Sequence, residues 1–213
     1  MSANEHVIAQ VKLMELLSSR ICHDIISPVG AIHNGLEFLE DMGADALEDA
    51  LELMKHSTKQ ATVKLQTYRM AYGAGGASDM ITYKNVYETI QTYFDLEKKI
   101  TLNWDGEHDQ QDRPAGTGKM AIGAFLLIAE TLPKSGTITV SANGEHGLTF
   151  KAEGENCAFR NGTEGALDNA IHLDEIDPRL IHPFVLGLSA KTYGFSLKTE
   201  HGNETATLHL TKD

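Results

Sequence analysis

A long stripe of apolar residues with seven-residue spacing dominates the first forty positions of the chain. One row of the stripe contains Val7, Met14, Ile21 and Pro28, and the other contains Val11, Ile25, Ile32 and Leu39. Ser18 and Gly35 interrupt the rows, yet a repeat of this kind is typical of a helix that packs in a coiled coil or bundle. At a rise of about 1.5 Å per residue, such a helix would be about 50 Å long.

A second periodic run predicts a second helix. Its members are Leu47, Leu51, Met54, Thr58, Ala61, Leu65 and Tyr68. Between the runs, Gly43 suits a helix end and Asp45 suits a new N-cap, so we expect an antiparallel helical hairpin. Because two helices cannot bury two long apolar stripes, we predict a homodimer whose two hairpins complete a four-helix bundle. The alternative is that the hairpin packs onto the C-terminal half of its own chain.

The segment Gly-Ala-Gly-Gly-Ala-Ser at 73–78 has the composition of a flexible linker. We therefore divide the chain into a helical domain, 1–73, and a second domain, 79–213. In the second domain, helices are predicted at 84–96, 116–132, 164–171 and 178–193, and strands at 100–104, 137–142, 148–152, 196–200 and 205–211. The Asn143-Gly144 pair marks a hairpin turn. The predicted fold class is α+β: the hairpin followed by an α/β sandwich with helices over one face of a mixed sheet.

Composition narrows the possible functions. The net charge of −12 opposes binding to a phosphate backbone, so we expect no nucleic-acid partner. No apolar run approaches the roughly 20 residues of a membrane span, and the first residues lack the order of a secretory signal. The two cysteines, Cys22 and Cys157, have no metal-binding spacing. These features favour a cytoplasmic protein with no membrane contact.

The first helix carries a distinctive group of polar residues, His23, Asp24 and Ser27, followed by Pro28. On a helical wheel, His23 lies opposite the apolar stripe and shares a solvent-facing side with Ser27 and Gly30. A surface histidine is usually only a polar residue. However, glycine and proline inside a helix cost about 1 and 3 kcal/mol relative to alanine, and such costs often mark function. Since imidazole is a nucleophile near neutral pH, His23 is a candidate for phosphorylation.

Residues 17–39 resemble the H-box of dimeric sensor histidine kinases, in which His is followed by an acidic residue, by Ser, Thr or Asn at the fourth following position, and by Pro. The wider string, with Cys22 before His23 and Ser-Pro-Val-Gly-Ala-Ile-His-Asn-Gly-Leu at 27–36, more closely resembles the ChpT-type histidine phosphotransferases of alphaproteobacteria. The second domain resembles the kinase ATP-binding domain in its order of elements. The resemblance implies a dimeric four-helix bundle followed by a degenerate ATPase-like domain.

The segments that would bind ATP lack the required residues. Where a kinase has Mg²⁺-binding asparagines, this chain has Gly123, Phe125, Leu127 and Ile128, and apolar side chains offer no oxygen ligands. Ala-Glu-Gly-Glu-Asn-Cys at 152–157 replaces the adenine-binding loop, and only Leu-Gly-Leu-Ser-Ala at 186–190 lies near the expected glycine box. The Gly-Thr-Gly-Lys string at 116–119 lacks the rest of a phosphate-binding loop and is read as a helix N-terminus. We expect no bound cofactor and no ATP binding.

Without ATP, the phosphoryl group must come from another protein. The resemblance implies a histidine phosphotransferase in a multistep phosphorelay. Its donor would be the receiver domain of an upstream hybrid histidine kinase, its acceptors would be downstream response regulators, and the receiver would bring the Mg²⁺. The competing readings are an ATP-dependent histidine kinase and a non-catalytic dimeric module that binds receivers.

Roles follow for the residues near His23, whose Nε2 would carry the phosphoryl group. Asp24 would orient the ring or accept its other N–H, or would instead be an exposed charge or bind an Arg or Lys of a partner. Ser27 would hydrogen-bond the ring, a water or the backbone, and Arg20 would either neutralise phosphate charge or be solvated. Gly30 and Asn34 would lie in the surface that binds the receiver.

Overall fold

A computed structural model describes residues 3–73, 82–97, 99–104 and 113–213. Its first two helices, α1 (Ala3–Met42) and α2 (Leu47–Tyr72), form the predicted hairpin. A 3₁₀ turn at Gly43–Ala46 joins them, and Gly43 adopts a left-handed φ of 64° there, which glycine tolerates best. Helix α1 continues through Pro28. Residues 74–81 lie outside the described part, so the predicted linker and the domain boundary within it stay predictions.

The second domain has the predicted alternation of helices and strands. Its elements are α3 (Tyr83–Glu97), β1 (Ile100–Asn103), α4 (Thr117–Ala129), β2 (Gly136–Asn143), β3 (Gly147–Glu153), α5 (Thr163–Leu167), α6 (Ile181–Tyr193), β4 (Phe195–Gly202) and β5 (Thr205–Lys212). The helix predicted at 164–171 is shorter than expected, because Asn169 takes a left-handed φ of 56° that ends it. The helix predicted from 178 begins as a 3₁₀ turn, Pro178–Leu180.

The five strands form one mixed sheet in the order β1-β2-β3-β5-β4. Strands β1 and β2 are parallel, and the other neighbouring pairs are antiparallel. Helices α3, α4 and α6 contact the sheet, α4 against the central strands β3 and β5. The α/β sandwich is therefore confirmed, and its core lies between α4 and the sheet.

Helix α4 is buried along almost its whole length, which explains its apolar sequence. The Phe125 ring packs in this core, with ring centroids 5.1 Å from Trp104 and 4.9 Å from Phe150. Gly123 is also buried, and a Cβ there would lie 2.6 Å from a methyl carbon of Leu186. The positions at which a kinase would place asparagines thus serve packing in this chain.

The hairpin packs partly onto the second domain. Ile21 and Ile25 of α1 contact the α/β core, and Tyr68 of α2 belongs to it. Both isoleucines belong to the rows that predict the dimer seam, and they are half-buried against this core cluster, which includes Tyr68 and Ala71 of α2 as well as residues of the second domain. Of the other stripe residues, Val7, Val11 and Met14 are exposed, whereas Ile32 and Leu39 are half-buried and Pro28 is buried. Val29 and Leu36, outside the predicted rows of α1, are also exposed, as are Leu47, Leu51 and Leu65 on α2.

None of the helices in the described residues is long and apolar enough to cross a bilayer.

Candidate phosphotransfer site

His23 projects from the middle of α1, and 88% of its side chain is exposed. Its face of the helix borders a cleft of about 440 Å³ between the hairpin and the α/β domain. The cleft is lined by Leu16, Ser19, Arg20, His23, Asp24, Glu130, Arg160, Pro178 and Arg179. The imidazole is therefore accessible to a large partner and stands at the edge of a partly charged groove.

Asp24 contacts the His23 ring directly. Its Oδ1 lies 3.2 Å from Nδ1 of His23, and its Oδ2 accepts a hydrogen bond from the Tyr68 hydroxyl. Burial, followed by the bond to Asp24, raises the pKa of Tyr68, so this hydroxyl remains a donor at neutral pH. This geometry places Asp24 where it can orient the ring: a carboxylate facing Nδ1 prefers the tautomer with the proton on Nδ1, which leaves the Nε2 lone pair available.

Arg20 lies one helical turn before His23 and forms an ion pair with Glu130 at the end of α4. Burial, the largest single influence, lowers the pKa of Arg20, but the attraction of Glu130, its hydrogen bond and the nearby Tyr72 and Tyr68 together leave the pKa raised. Neither of the two roles considered for Arg20 included this pairing. The ion pair fixes α1 against the α/β domain and leaves the guanidinium along the cleft.

Two further arginines reach the cleft from the second domain. Arg160 lies in the loop between β3 and α5, and Arg179 lies in the 3₁₀ turn before α6. Both are exposed. Together with Arg20, they give the groove beside His23 three guanidinium groups, which bind phosphate oxygens and carboxylates well. Reasoning from sequence did not identify them, because isolated arginines in loops carry no local signal.

A buried histidine on α6 links the end of α2 to α4. His182 Nδ1 lies 2.8 Å from the Tyr72 hydroxyl at the end of α2, and its Nε2 lies 2.9 Å from the carbonyl of Gly123 on α4. Since a carbonyl only accepts, Nε2 carries the proton and Nδ1 accepts from Tyr72. Burial and the nearby charge of Arg20 lower the pKa of His182 to about 3, so the ring is neutral.

The other predicted site residues do not line the cleft, within the residues that the structure describes. Ser27 and Asn34 are exposed on α1, and no atom lies within 4 Å of a Cβ placed on Gly30. Asn34 follows His23 by eleven residues, or about 16 Å along the helix. These residues extend the exposed face of α1 away from the groove. The described part of the chain holds no cluster of His, Cys, Asp and Glu side chains suited to a metal ion.

Residues 84–205 match the family described as histidine phosphotransferase C-terminal domain. The chain belongs to this family. The matched range runs from α3 to the start of β5 and so includes α4, Arg160, Arg179 and His182. Within this family assignment, the buried apolar α4 and the arginine-lined edge of the groove are parts of the phosphotransferase C-terminal domain.

Relatives agree with this assignment. The chain is 37% identical over 137 residues to the protein phosphotransferase ChpT of Brucella abortus (strain 2308), a match that spans 64% of each protein. A solved bacterial phosphotransferase superposes over 99% of this chain and 97% of its own, with 27% identity and a TM-score of 0.75. A histidine kinase from Burkholderia phymatum STM815 is also similar, with 13% identity and a TM-score of 0.30, too distant to support an argument.

Proposed function

We propose that the chain is a histidine phosphotransferase that moves a phosphoryl group between the aspartates of receiver domains, with His23 as the carrier. The observation that carries the proposal is the exposure of His23, 88% of whose side chain is open to solvent. Its Nδ1 faces Asp24, and the ring borders a groove lined by three arginines. The family and the related phosphotransferases support the same reaction.

In the proposed mechanism, Nε2 of His23 attacks the phosphorus of an aspartyl phosphate in line. The N–P bond forms as the P–O bond breaks, and the donor aspartate leaves as a carboxylate. The ring keeps its Nδ1 proton and gains positive charge, which the Asp24 carboxylate stabilises across 3.2 Å. The reverse reaction on a second receiver returns the phosphoryl group to an aspartate. Catalysis of this loose transfer depends mostly on positioning and on electrostatic stabilisation.

The chain's own carboxylates beside His23 are a poor fit for Mg²⁺. Asp24 contacts His23 and accepts from Tyr68, and Glu130 is paired with Arg20. Because Mg²⁺ requires oxygen ligands in octahedral geometry, we propose that the receiver supplies the ion. The arginines of the groove would then contact acidic groups and phosphate oxygens of that receiver. We also propose that this chain takes the phosphoryl group from the receiver of a hybrid kinase and passes it to downstream response regulators.

We also propose that the chain acts as a homodimer. On α1, the exposed residues Val7, Val11, Val29 and Leu36 lie within about 60° of Met14 on the helical wheel. On α2, Leu51 and Leu65 lie within about 40° of Leu47. A second hairpin would cover this joint apolar face and complete a four-helix bundle, while His23, on the opposite side of α1, would stay accessible.

The dimer is tested by the mass of single variants in analytical ultracentrifugation. Met14→Asp places a charge in the proposed interface and should give a single-chain mass at micromolar concentration. Ile26→Asp is the matched control, since Ile26 is also exposed on α1 but lies about 120° from Met14, and it should remain dimeric. A wild-type mass equal to that of one chain would contradict the proposed dimer.

The phosphotransfer is tested with receiver domains carrying labelled phosphate. His23→Ala should lose all acid-labile label while keeping its circular dichroism and its mass. His33→Ala is the matched control, because His33 is an exposed histidine of the same helix, 71% exposed and 3.4 Å from Glu37, and it should accept label normally. Label retained by His23→Ala would place the acceptor elsewhere. Wild-type protein that binds receivers without becoming labelled would instead indicate a binding module.

A further inference from the structure

The Tyr68 hydroxyl contacts the site without touching His23. Tyr68 lies on α2, 44 residues from Asp24, and donates to Asp24 Oδ2, while the other carboxylate oxygen, Oδ1, lies 3.2 Å from Nδ1 of His23. Only 5% of Tyr68 is exposed, and its ring belongs to the hydrophobic core of the α/β domain. A tyrosine anchored in the core can hold the Asp24 carboxylate in one orientation.

We propose that Tyr68 is a positioning residue that holds Asp24 against His23, fixes the ring proton on Nδ1, and thereby presents Nε2 as the nucleophile. This inference rests on the proposed function and names a residue of the same site. Asp24 directly follows His23, so the two side chains leave the helix about 100° apart and do not naturally face each other. A restraint on Oδ2 turns Oδ1 back towards the ring.

The chemistry of the three groups agrees with this role. Both carboxylate oxygens are engaged, since Oδ2 accepts from Tyr68 and Oδ1 faces His23, and this arrangement suits Asp24 as an anion. When Nε2 forms the N–P bond, the Nδ1 proton stays in place and the ring becomes positively charged. A carboxylate already oriented towards that proton need not reorganise during the transfer. Loss of the Tyr68 hydroxyl would allow Asp24 to turn into solvent and would free the ring to change tautomer.

Tyr72 provides a matched control within the same helix. It lies one turn after Tyr68, with ring centroids 5.7 Å apart, and its hydroxyl contacts His182 rather than Asp24. Each Tyr→Phe change removes one hydroxyl from the junction between hairpin and α/β domain. If Tyr68 serves only to fill that junction, the two variants should behave alike at His23.

The first measurement is the tautomer of His23, from long-range ¹H–¹⁵N spectra of the unphosphorylated full chain. Wild type and Tyr72→Phe should show His23 protonated on Nδ1. Tyr68→Phe should shift the population towards Nε2–H, and Asp24→Asn should do the same. An unchanged His23 spectrum in Tyr68→Phe would overturn the inference. Because this measurement needs no phosphoryl transfer, it remains decisive even if His23 is never labelled and the proposed function fails.

The second measurement is the rate of transfer from a saturating phosphorylated receiver. For Tyr68→Phe we expect a rate about three- to tenfold lower, the size of one ordinary hydrogen bond, because the hydroxyl acts on His23 only through Asp24; receiver affinity should be unchanged. Tyr72→Phe should transfer at the wild-type rate. Equal rates for Tyr68→Phe and wild type, with wild type labelled on His23, would refute the positioning role and leave the proposed function intact.

Discussion

Acidification should destabilise the α/β domain through His182, the fully buried histidine of α6. In the folded chain, its ring donates to the Gly123 carbonyl and accepts from Tyr72. The pKa of this ring is lowered from 6.5 to about 3, chiefly by burial. Below pH 6.5 the unfolded chain therefore binds a proton that the folded chain excludes, and protonation favours unfolding. The contribution of the neutral His182 ring to the free energy of unfolding is fully present above pH 6.5 and is lost as the pH falls towards 3.

The magnitude follows from these two pKa values. Lowering the pH from 7.5 to 5.5 should reduce the free energy of unfolding by about 1.4 kcal/mol from this residue alone. At pH 5 the loss should reach about 2 kcal/mol. These losses are a large fraction of the 5–15 kcal/mol that typically stabilises a domain of about this size.

The assay is urea unfolding at several pH values and one fixed protein concentration, followed by tryptophan fluorescence. Trp104 is the chain's single tryptophan, and it packs 5.1 Å from Phe125 in the core. His182→Gln is the comparison: it should cost about 1–3 kcal/mol at neutral pH by leaving a buried partner unsatisfied. The loss of stability between pH 7.5 and 5.5 should be smaller in this variant by the amount given above. Equal pH dependence in the two proteins would refute the reasoning.

Three further outcomes are expected. Gly187→Ala should lower the thermal midpoint steeply and cost at least about 3 kcal/mol, since its Cβ would lie 1.9 Å from the Leu167 carbonyl oxygen. Gly30→Ala meets no atom within 4 Å, so it should stabilise the protein by about 0.5–1 kcal/mol in the same melts, while weakening receiver binding if that face docks. Calorimetry with Mg²⁺ and ATP should show no binding, because the α4 positions that would bind them are buried and apolar; micromolar affinity would contradict this.

The sequence predicted best those elements whose pattern is contained within a single helix or turn. The helices of the hairpin follow from a repeat that is visible within each helix, and the β2–β3 hairpin follows from Asn143-Gly144, where Gly144 takes a φ of 71°. The outward orientation of His23 needed only the helical period. The burial of α4 could also be anticipated, because after Lys119 the helix has no polar residue and so no face suited to water. The Leu186-Gly187-Leu188 string, considered near the place of a glycine box, instead lets α6 approach α5 closely.

The groups around the imidazole required the folded chain. Arg20 meets Glu130 across 110 residues, and Tyr72 meets His182 across the same separation. Arg160 and Arg179 lie in connecting segments with no period, so no spacing places them beside His23. The apolar stripe of α1 was likewise ambiguous, since the sequence does not distinguish a surface covered by a partner from one covered by the α/β domain.

The sequence by itself determined a helical hairpin with an outward-facing His23, followed by a helix-and-sheet domain in which the kinase asparagine positions are apolar, because these properties depend on periodicity and side-chain chemistry within single elements. Only the tertiary structure decided that Asp24 faces the ring, that Tyr68 holds Asp24, and that three arginines border the groove. Those contacts join helices and loops that are distant in the chain, and packing of the whole core fixes their positions.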